Sequence, residues 1–553
     1  MRTSKTHQHL KVNAIAGTYV VTLGFNLPKE KCNGLLGFSI LRTSEDGEAR
    51  YLEGMKCFAE TDPGFPSGAH YATNKHPIQI FQWADYAAEP GQTYSYKVTA
   101  LKGSPTNLTP YASCTVKVTT ESPEGGNQYV YFNRGTAASQ EYIRRFGNKA
   151  PGKVKDNKAF EWLSRGLYEA LTEFVTSCKP GKHALRIAAY EFKYEPFVKL
   201  IRETVDRGVD VQIIHDAGND SPGTENRELI EKYELEDCCT DRTASAALSH
   251  NKFIVKLYKK KPIVVWTGGT NFSDGGIFGH SNVAHIVDDP AVAALYLKYW
   301  EELKNDHAGK VFRPLVEGIS SIPPKKLPKG TSVLFSPRGS LDALNYYGDL
   351  ALSAKNGLFM TFAFGMNRLF KDVFNDSQAG FRLALMEKKT RSYAKDKKAE
   401  QEADEQEIQE LRNLPENVFA IGNFVRTNEF DGWVKERLTG LNSRVNYVHN
   451  KFMLIDPLSN DPIVVGGSAN FSDASTDKND ENMLLVRGDK RVADIYLGEF
   501  MRLFSHFSFR ESLTWRKTVD NPPKPLRTDD WWRSSFGNTQ NAAKRKYFAQ
   551  VSK

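Results

Sequence analysis

Two hydrophobic patterns divide this chain. Over roughly the first 120 residues, apolar β-branched and aromatic positions come in short runs (TYVVTLGF, GLLGFSILR, YSYKVTAL) separated by glycine, proline and charged residues. Runs of that length bounded by turn residues predict strands, with no long amphipathic helix between them. Ser122-Pro123-Glu124-Gly125-Gly126 reads as a linker. Beyond it the period changes. A helical pattern, AFEWLSRGLYEALTEFV, precedes the apolar run ALRIAAYEF, then FVKLIRETVDRG and VDVQIIHDA. Strand, helix and strand in that order predict a parallel α/β unit, with Gly208 at the C-terminal cap of the helix. The same order returns in LDALNYYGDLALSAK, LFMTFAF, a helix near residues 368–374, and NVFAIGNF. Between these last two lies KKTRSYAKDKKAEQEADEQEIQELRN, whose mixed charge predicts a solvated helical insertion.

The recurrence is a duplication. SHNKFIVKLYKKKPIVVWTGGTNFSDGG and VHNKFMLIDPLSNDPIVVGGSANFSDAS share HNKF, PIVV and NFSD, and His250 to Asn271 spans the same 21 positions as His449 to Asn470. Downstream, Val292-Ala293 and Tyr296-Leu297 match Val492-Ala493 and Tyr496-Leu497, both pairs in predicted helices. Repetition at a fixed offset indicates two homologous units.

The repeated polar residues carry chemistry. Alternation on a strand puts His250 and Lys252 on one side, and likewise His449 and Lys451. Each unit adds an asparagine and a serine from a glycine-rich turn, Asn271 and Ser273 in one, Asn470 and Ser472 in the other. Packed about a pseudo-twofold axis, these sets would bring two imidazoles face to face among ammonium, amide and hydroxyl donors. Such a site suits phosphoryl transfer: one imidazole attacks phosphorus, the other protonates the leaving oxygen, and the donors hold the non-bridging oxygens. No carboxylate cluster of the kind magnesium or calcium uses adjoins the motifs, so neither a metal nor a cofactor is expected.

These residues resemble the HxK(x)4D signature of the phospholipase D superfamily, followed by its glycine-rich and Asn-x-Ser element. The second copy matches throughout: His449, Lys451, Asp456, Gly466-Gly467-Ser468, Asn470 and Ser472. The first copy has Leu257 where the aspartate belongs, as in members resembling tyrosyl-DNA phosphodiesterases. Family members also carry a carboxylate some 30 residues after the histidine that hydrogen-bonds the imidazole. Glu481 stands 32 positions beyond His449, whereas Asn282 stands 32 beyond His250. A carboxylate on one ring nitrogen raises the basicity of the other, which makes His449 the expected nucleophile and His250 the expected general acid. The resemblance implies an α/β fold of two phospholipase D-like halves, 127–315 and 328–515, related by a pseudo-twofold axis. It also implies a phosphodiesterase working through a phosphohistidine intermediate.

The resemblance leaves out the N-terminal strands. There Glu89-Pro90-Gly91-Gln92-Thr93-Tyr94, with Tyr96, Val98 and Ala100, resembles the start of strand F of a fibronectin type III domain, where a tyrosine folds its hydroxyl back onto nearby backbone. An all-β sandwich over 1–124 is expected, with packing, protein docking or substrate selection as its roles. The last segment, 516–553, with Trp515 just before it, mixes Trp531, Trp532, Tyr547 and Phe548 with Arg533, Lys544, Arg545 and Lys546. It is read as a tail docked by its aromatics across the two halves, with base stacking and a lipid interface as alternatives.

A net charge of +8 over 553 residues is compatible with a phosphate-bearing substrate. The six cysteines form no disulfide framework or zinc spacing, no secretory leader opens the sequence, and no apolar run spans a membrane, so a cytoplasmic protein is expected. The expected substrate is a nucleic acid in preference to a phospholipid. Phosphatidyl transfer and a binding module with a decayed site are the alternatives.

Overall fold

The computed structural model describes residues 1–62, 69–135, 139–147, 149–218, 221–245, 247–422, 447–514 and 525–551. The N-terminal region forms two four-stranded antiparallel sheets. The first has the order β1-β2-β3-β6, with β1 Arg2–His7, β2 Leu10–Ala16, β3 Val21–Asn26 and β6 Gln82–Asp85. The second has the order β8-β7-β4-β5, with β4 Gly37–Ser44, β5 Ala49–Tyr51, β7 Thr93–Ser104 and β8 Asn107–Thr119. Val12, Ala14, Val21 and Leu23 of one sheet share a core with Phe38, Ile40, Tyr96, Val98 and Val116 of the other, which makes the pair a β-sandwich. At its corner the Tyr94 hydroxyl accepts the Glu89 N–H at 3.0 Å.

The rest of the chain forms two seven-stranded mixed sheets of the same order. The first runs β9-β15-β14-β13-β10-β11-β12, built from β9 Gln128–Phe132, β10 His183–Ala189, β11 Asp210–Asp216, β12 Cys239–Arg242, β13 Lys252–Tyr258, β14 Lys261–Gly268 and β15 Val283–Val287. The second runs β16-β22-β21-β20-β17-β18-β19, built from β16 Gly330–Ser336, β17 Gly357–Phe362, β18 Phe381–Met386, β19 Asn417–Ile421, β20 Phe452–Ile455, β21 Ile463–Gly467 and β22 Glu481–Arg487. In both, the three strands at one edge run parallel and the remaining pairings are antiparallel. The duplication read from the sequence is thus a duplication of topology.

The central strands are apolar on both faces because both are covered. On β13, Ile254 enters the core against the outer helices, while Phe253, Val255 and Leu257 face the second half. On β20, Met453 and Ile455 point outward and Phe452 and Leu454 inward. Helices Pro290–Lys304 and Lys490–Thr514, which carry the repeated Tyr-Leu pairs, fill the space between the sheets.

Three expectations are refined. The helix predicted over AFEWLSRGLYEALTEFV is two helices, Lys158–Ser164 and Leu167–Thr176, because Arg165 and Gly166 adopt positive φ. The charged insertion contains the helix Lys398–Asn413, yet it is anchored: the Lys371 ammonium binds Asp404 and, at 2.6 Å, Glu407, and Ile408 and Leu411 are buried. The described part of the tail, residues 525–551, does not lie across the two halves. It ties the sandwich to the second half: Trp531 donates its indole N–H to Leu35 O at 2.7 Å and packs on Phe38 and Phe81, while Tyr547 packs on Phe359 and Phe381. Trp515 lies outside the described residues. Among the described residues no helix is long and apolar enough to cross a membrane.

Candidate active site

Both histidine motifs sit where the two sheets meet, and two short backbone contacts hold them there. Ser281, entering β15 of the first half, donates its N–H to Tyr447 O of the second at 2.9 Å. Asp480, entering β22 of the second half, donates to Leu248 O of the first at the same distance. Each half's loop therefore runs beside the segment that leads into the other half's histidine.

That crossing decides the partners. Glu481 binds His250, with its carboxylate oxygens 2.9 and 3.0 Å from Nδ1. His449 Nδ1 lies 3.1 Å from Asn282 Oδ1. The assignment of Glu481 to His449 on spacing is corrected: a residue 32 positions beyond one histidine reaches the other, because the loops exchange across the pseudo-twofold axis. With it falls the expectation that His449 is the better activated imidazole.

The hydrogen bonds also set the tautomers. Asn282 donates its amide to Gly276 O at 2.8 Å and faces His280 Nδ1 at 3.0 Å, which turns its oxygen toward His449. His449 then carries its proton on Nδ1 and offers Nε2. In the other half Asn479, at the position equivalent to His280, donates to Glu481 Oε1 at 3.2 Å. Arg242 pins this loop to the first half through Asp480 at 2.9 Å and also binds Asp306 at 2.8 Å.

Lys252 and Lys451 each bind the carbonyl oxygen of their own histidine, Lys451 at 2.7 Å. Tyr190 stands edge-on to His250 at 4.9 Å and lies under the Lys252 ammonium at 4.9 Å, whereas the His280 ring lies 4.4 Å from that of His449. Burial pushes Lys252 down to about 7, with Glu481 and Glu191 opposing. Burial lowers His250 too, against the pull of Glu481. It drives His449 well below the usual histidine value, helped by Lys451, His280, Lys252 and His250 in that order. Glu481 stays ionised despite its burial because His250 and Lys252 hold it so.

Ser273 and Ser472 open the turns that follow each asparagine. Ser273 donates to Glu191 at 2.5 Å and accepts the Gly276 N–H, and Ser472 caps a short helix by accepting the Ser475 N–H. The carboxamide oxygens of Asn271 and Asn470 are buried without a hydrogen-bond partner among the described residues. Asp456 is elsewhere. It lies five residues down the strand from Lys451, roughly 16 Å at strand rise, and accepts the N–H groups of Lys355, Asn356 and Gly357 at 2.9, 2.6 and 2.9 Å. Its inclusion among the site residues is corrected: it clamps β17 to β20. Leu257, its counterpart, is buried between the halves.

The sequence reading missed two carboxylates. Asp216, the last residue of β11, and Glu387, the first residue after the equivalent strand β18, accept the N–H of Ser249 and Val448 at 3.2 and 2.7 Å, one residue before each histidine. An acid ending an apolar run in both halves was the available signal. His280 had none, since its counterpart is Asn479.

This is a duplicated α/β scaffold with a histidine-lysine pair from each half at the junction, which defines a phospholipase D-type architecture. The chain belongs to the family described as "Cardiolipin synthase, PLD-like domain", whose profile matches residues 172–304 and 350–504, more than half of the sequence. No curated protein matches. Among solved structures, the chain is similar to polyphosphate kinase from Porphyromonas gingivalis at 10% identity and TM-score 0.41, covering 65% of this chain and 50% of the kinase. It is similar to phosphatidylserine synthase from Haemophilus influenzae at 13% identity and TM-score 0.43, covering 63% and 85%. It is also similar to yeast tyrosyl-DNA phosphodiesterase at 12% identity and TM-score 0.31, covering 55% and 82%.

Proposed function

We propose that this protein is a phosphodiesterase acting by double displacement, with His250 as nucleophile and His449 as general acid and base. The observation that carries the reading is the Glu481–His250 hydrogen bond, set against the neutral Asn282 on His449. With Nδ1–H held by a carboxylate, His250 presents a basic Nε2 and its positive charge is compensated once that nitrogen is phosphorylated. Nε2 attacks phosphorus, the P–N bond forms and the P–O bond to the leaving group breaks. The Nε2 proton of His449 goes to the departing oxygen. An anionic phosphodiester between the two ammonium groups favours that protonated state, which burial by itself disfavours. Water then attacks phosphorus as His449 takes its proton, and the P–N bond breaks to restore His250. Lys252, Lys451, Asn271 and Asn470 hold the non-bridging oxygens, and Ser273 and Ser472 fix the turns that carry the asparagines. This donor set lets the reaction proceed in chelator.

The substrate class we propose is a nucleic acid, on the basic charge balance. Phosphatidyl transfer is the second reading, favoured by the family's description. Incubation in EDTA with single-stranded and plasmid DNA, RNA, phosphatidylcholine, phosphatidylglycerol and a bis-aryl phosphodiester tests both. Cleavage of the nucleic acids and the aryl diester is expected. Turnover of the lipids alone would replace the first reading with the second, and inactivity on all would favour a binding module. The domain limits proposed are 1–124, 127–315, 328–515 and 516–553. A fibronectin type III-like identity for the first is supported by the Tyr94 corner and the three-plus-four strand order that remains when the β1 hairpin strand is set aside.

A further inference from the structure

Three guanidinium groups gather around one carboxylate where the sandwich and both halves join. Arg165 lies 2.6 Å from Glu499, and Arg502 lies 2.8 Å from the same oxygen. Arg134 is the third member and pairs with no carboxylate among the described residues. Its guanidinium lies over the ring of Trp162 at 4.6 Å, and Tyr19 of the sandwich lies 4.4 Å from Arg165. Glu499 neutralises one of the three charges. Arg165 and Arg502 also donate to the carbonyl oxygens of Phe132, Asn133 and Arg134, which occupies most of their N–H groups but adds no formal negative charge, so the cluster keeps an excess of positive charge. Two adjacent buried donors, Arg134 Nε and the Trp162 indole Nε1, have no acceptor among the described residues. Burial, reinforced by Arg165 and Arg502, pushes Arg134 down to about 9. The cluster is partly open, since Arg134 itself is only half-buried. It also adjoins the candidate active site: Asn133 donates to Ile277 O and His280 O at 2.9 and 2.8 Å and accepts the Asn282 N–H at 2.9 Å.

We propose that Arg134 and Trp162 supply the donors, and Arg165 and Arg502 the surrounding positive charge, of an oxyanion site for a phosphate group, separate from the histidine pair. A tetrahedral oxyanion offers acceptors to the unpaired donors and supplies the missing negative charge. Two sources share that chemistry: a second phosphate of the substrate, and free phosphate. The full-length H250N/H449N variant provides the background, because binding can be read there without turnover. Inorganic phosphate is expected to raise its melting temperature saturably. Adding Arg134→Gln should weaken that binding roughly 10–100-fold, the loss of a charge-assisted hydrogen bond. Arg134→Lys, which keeps the charge without the fork, should fall between and serves if the glutamine variant does not fold. In the active enzyme, a rise in KM on Arg134→Gln for substrates with an adjacent phosphate, but not for a single phosphodiester, identifies the substrate's own phosphate. Unchanged KM for both identifies free phosphate. Equal phosphate affinity with and without Arg134, or no saturable binding in the H250N/H449N background, overturns the site.

Discussion

The two halves share strand order, His-x-Lys spacing and the serine-capped asparagine turn, yet they treat their histidines differently. His250 has an ionised carboxylate on Nδ1 and a tyrosine edge beside it. His449 has a neutral amide on Nδ1 and a second imidazole against its ring. The difference teaches that a symmetric scaffold acquires direction from its second layer of contacts. Identical imidazoles become a nucleophile and an acid in the proposed mechanism because one is backed by charge and the other is not.

The largest effect expected is on the covalent step. His250→Asn should lower turnover by at least about 10⁴-fold and abolish the phosphoenzyme. His449→Asn should cost about 10²–10⁴-fold with a poor leaving group, yet accumulate an adduct on His250 with an activated aryl ester. Intact-mass and acid-labile phosphate analysis of quenched reactions checks both, and an adduct on His449 that survives His250→Asn would reverse the roles.

Exchanging the backing groups strikes at the asymmetry itself. Glu481→Gln should lower kcat by about 10²-fold or more while leaving the fold intact. The double variant E481N/N282D should move the phosphohistidine toward His449. Peptide mapping of the trapped adduct decides, and an adduct that stays on His250 would mean the roles are set elsewhere.

A smaller effect concerns pH. Lys252 is protonated below about 7 and loses its charge above it, so kcat/KM should fall as pH rises through about 7. His250 is held below its usual value and stays neutral to lower pH, so the acid limb should lie below about 6.5. Glu481 pulls Lys252 upward, so Glu481→Gln should shift the alkaline limb to lower pH. A limb near the ordinary lysine value in wild-type enzyme would contradict the burial of Lys252.

The smallest effect distinguishes fold from chemistry. Asp456→Asn, which tolerates the positive φ found there, should lower stability by about 1–3 kcal/mol in urea titration and leave kcat unchanged. A kcat loss without a stability change would return Asp456 to the site.

Much of this was legible in the chain. The short β-branched and aromatic runs between turn residues specified strands, the change near residue 127 separated the sandwich from the α/β units, and the matched 21-residue spacings declared the duplication and picked out His250, Lys252, His449 and Lys451. Local pattern suffices for these because strand alternation and repetition are properties of contiguous residues. The pairing of Glu481 with His250 was not legible. An intrahalf contact and its exchange across a pseudo-twofold axis have the same spacing in sequence, and only the crossing of Ser281 onto Tyr447 and Asp480 onto Leu248 distinguishes them. The role of Asp456 was hidden for a related reason: its three partners lie about a hundred residues away on β17 and its approach. The Arg134 cluster draws on the sandwich and both halves, so no single segment announces it. Sequence alone therefore determined which groups are available for chemistry. Tertiary structure decided which group faces which, because hydrogen bonds and charges act through space over a few ångströms whatever the distance along the chain.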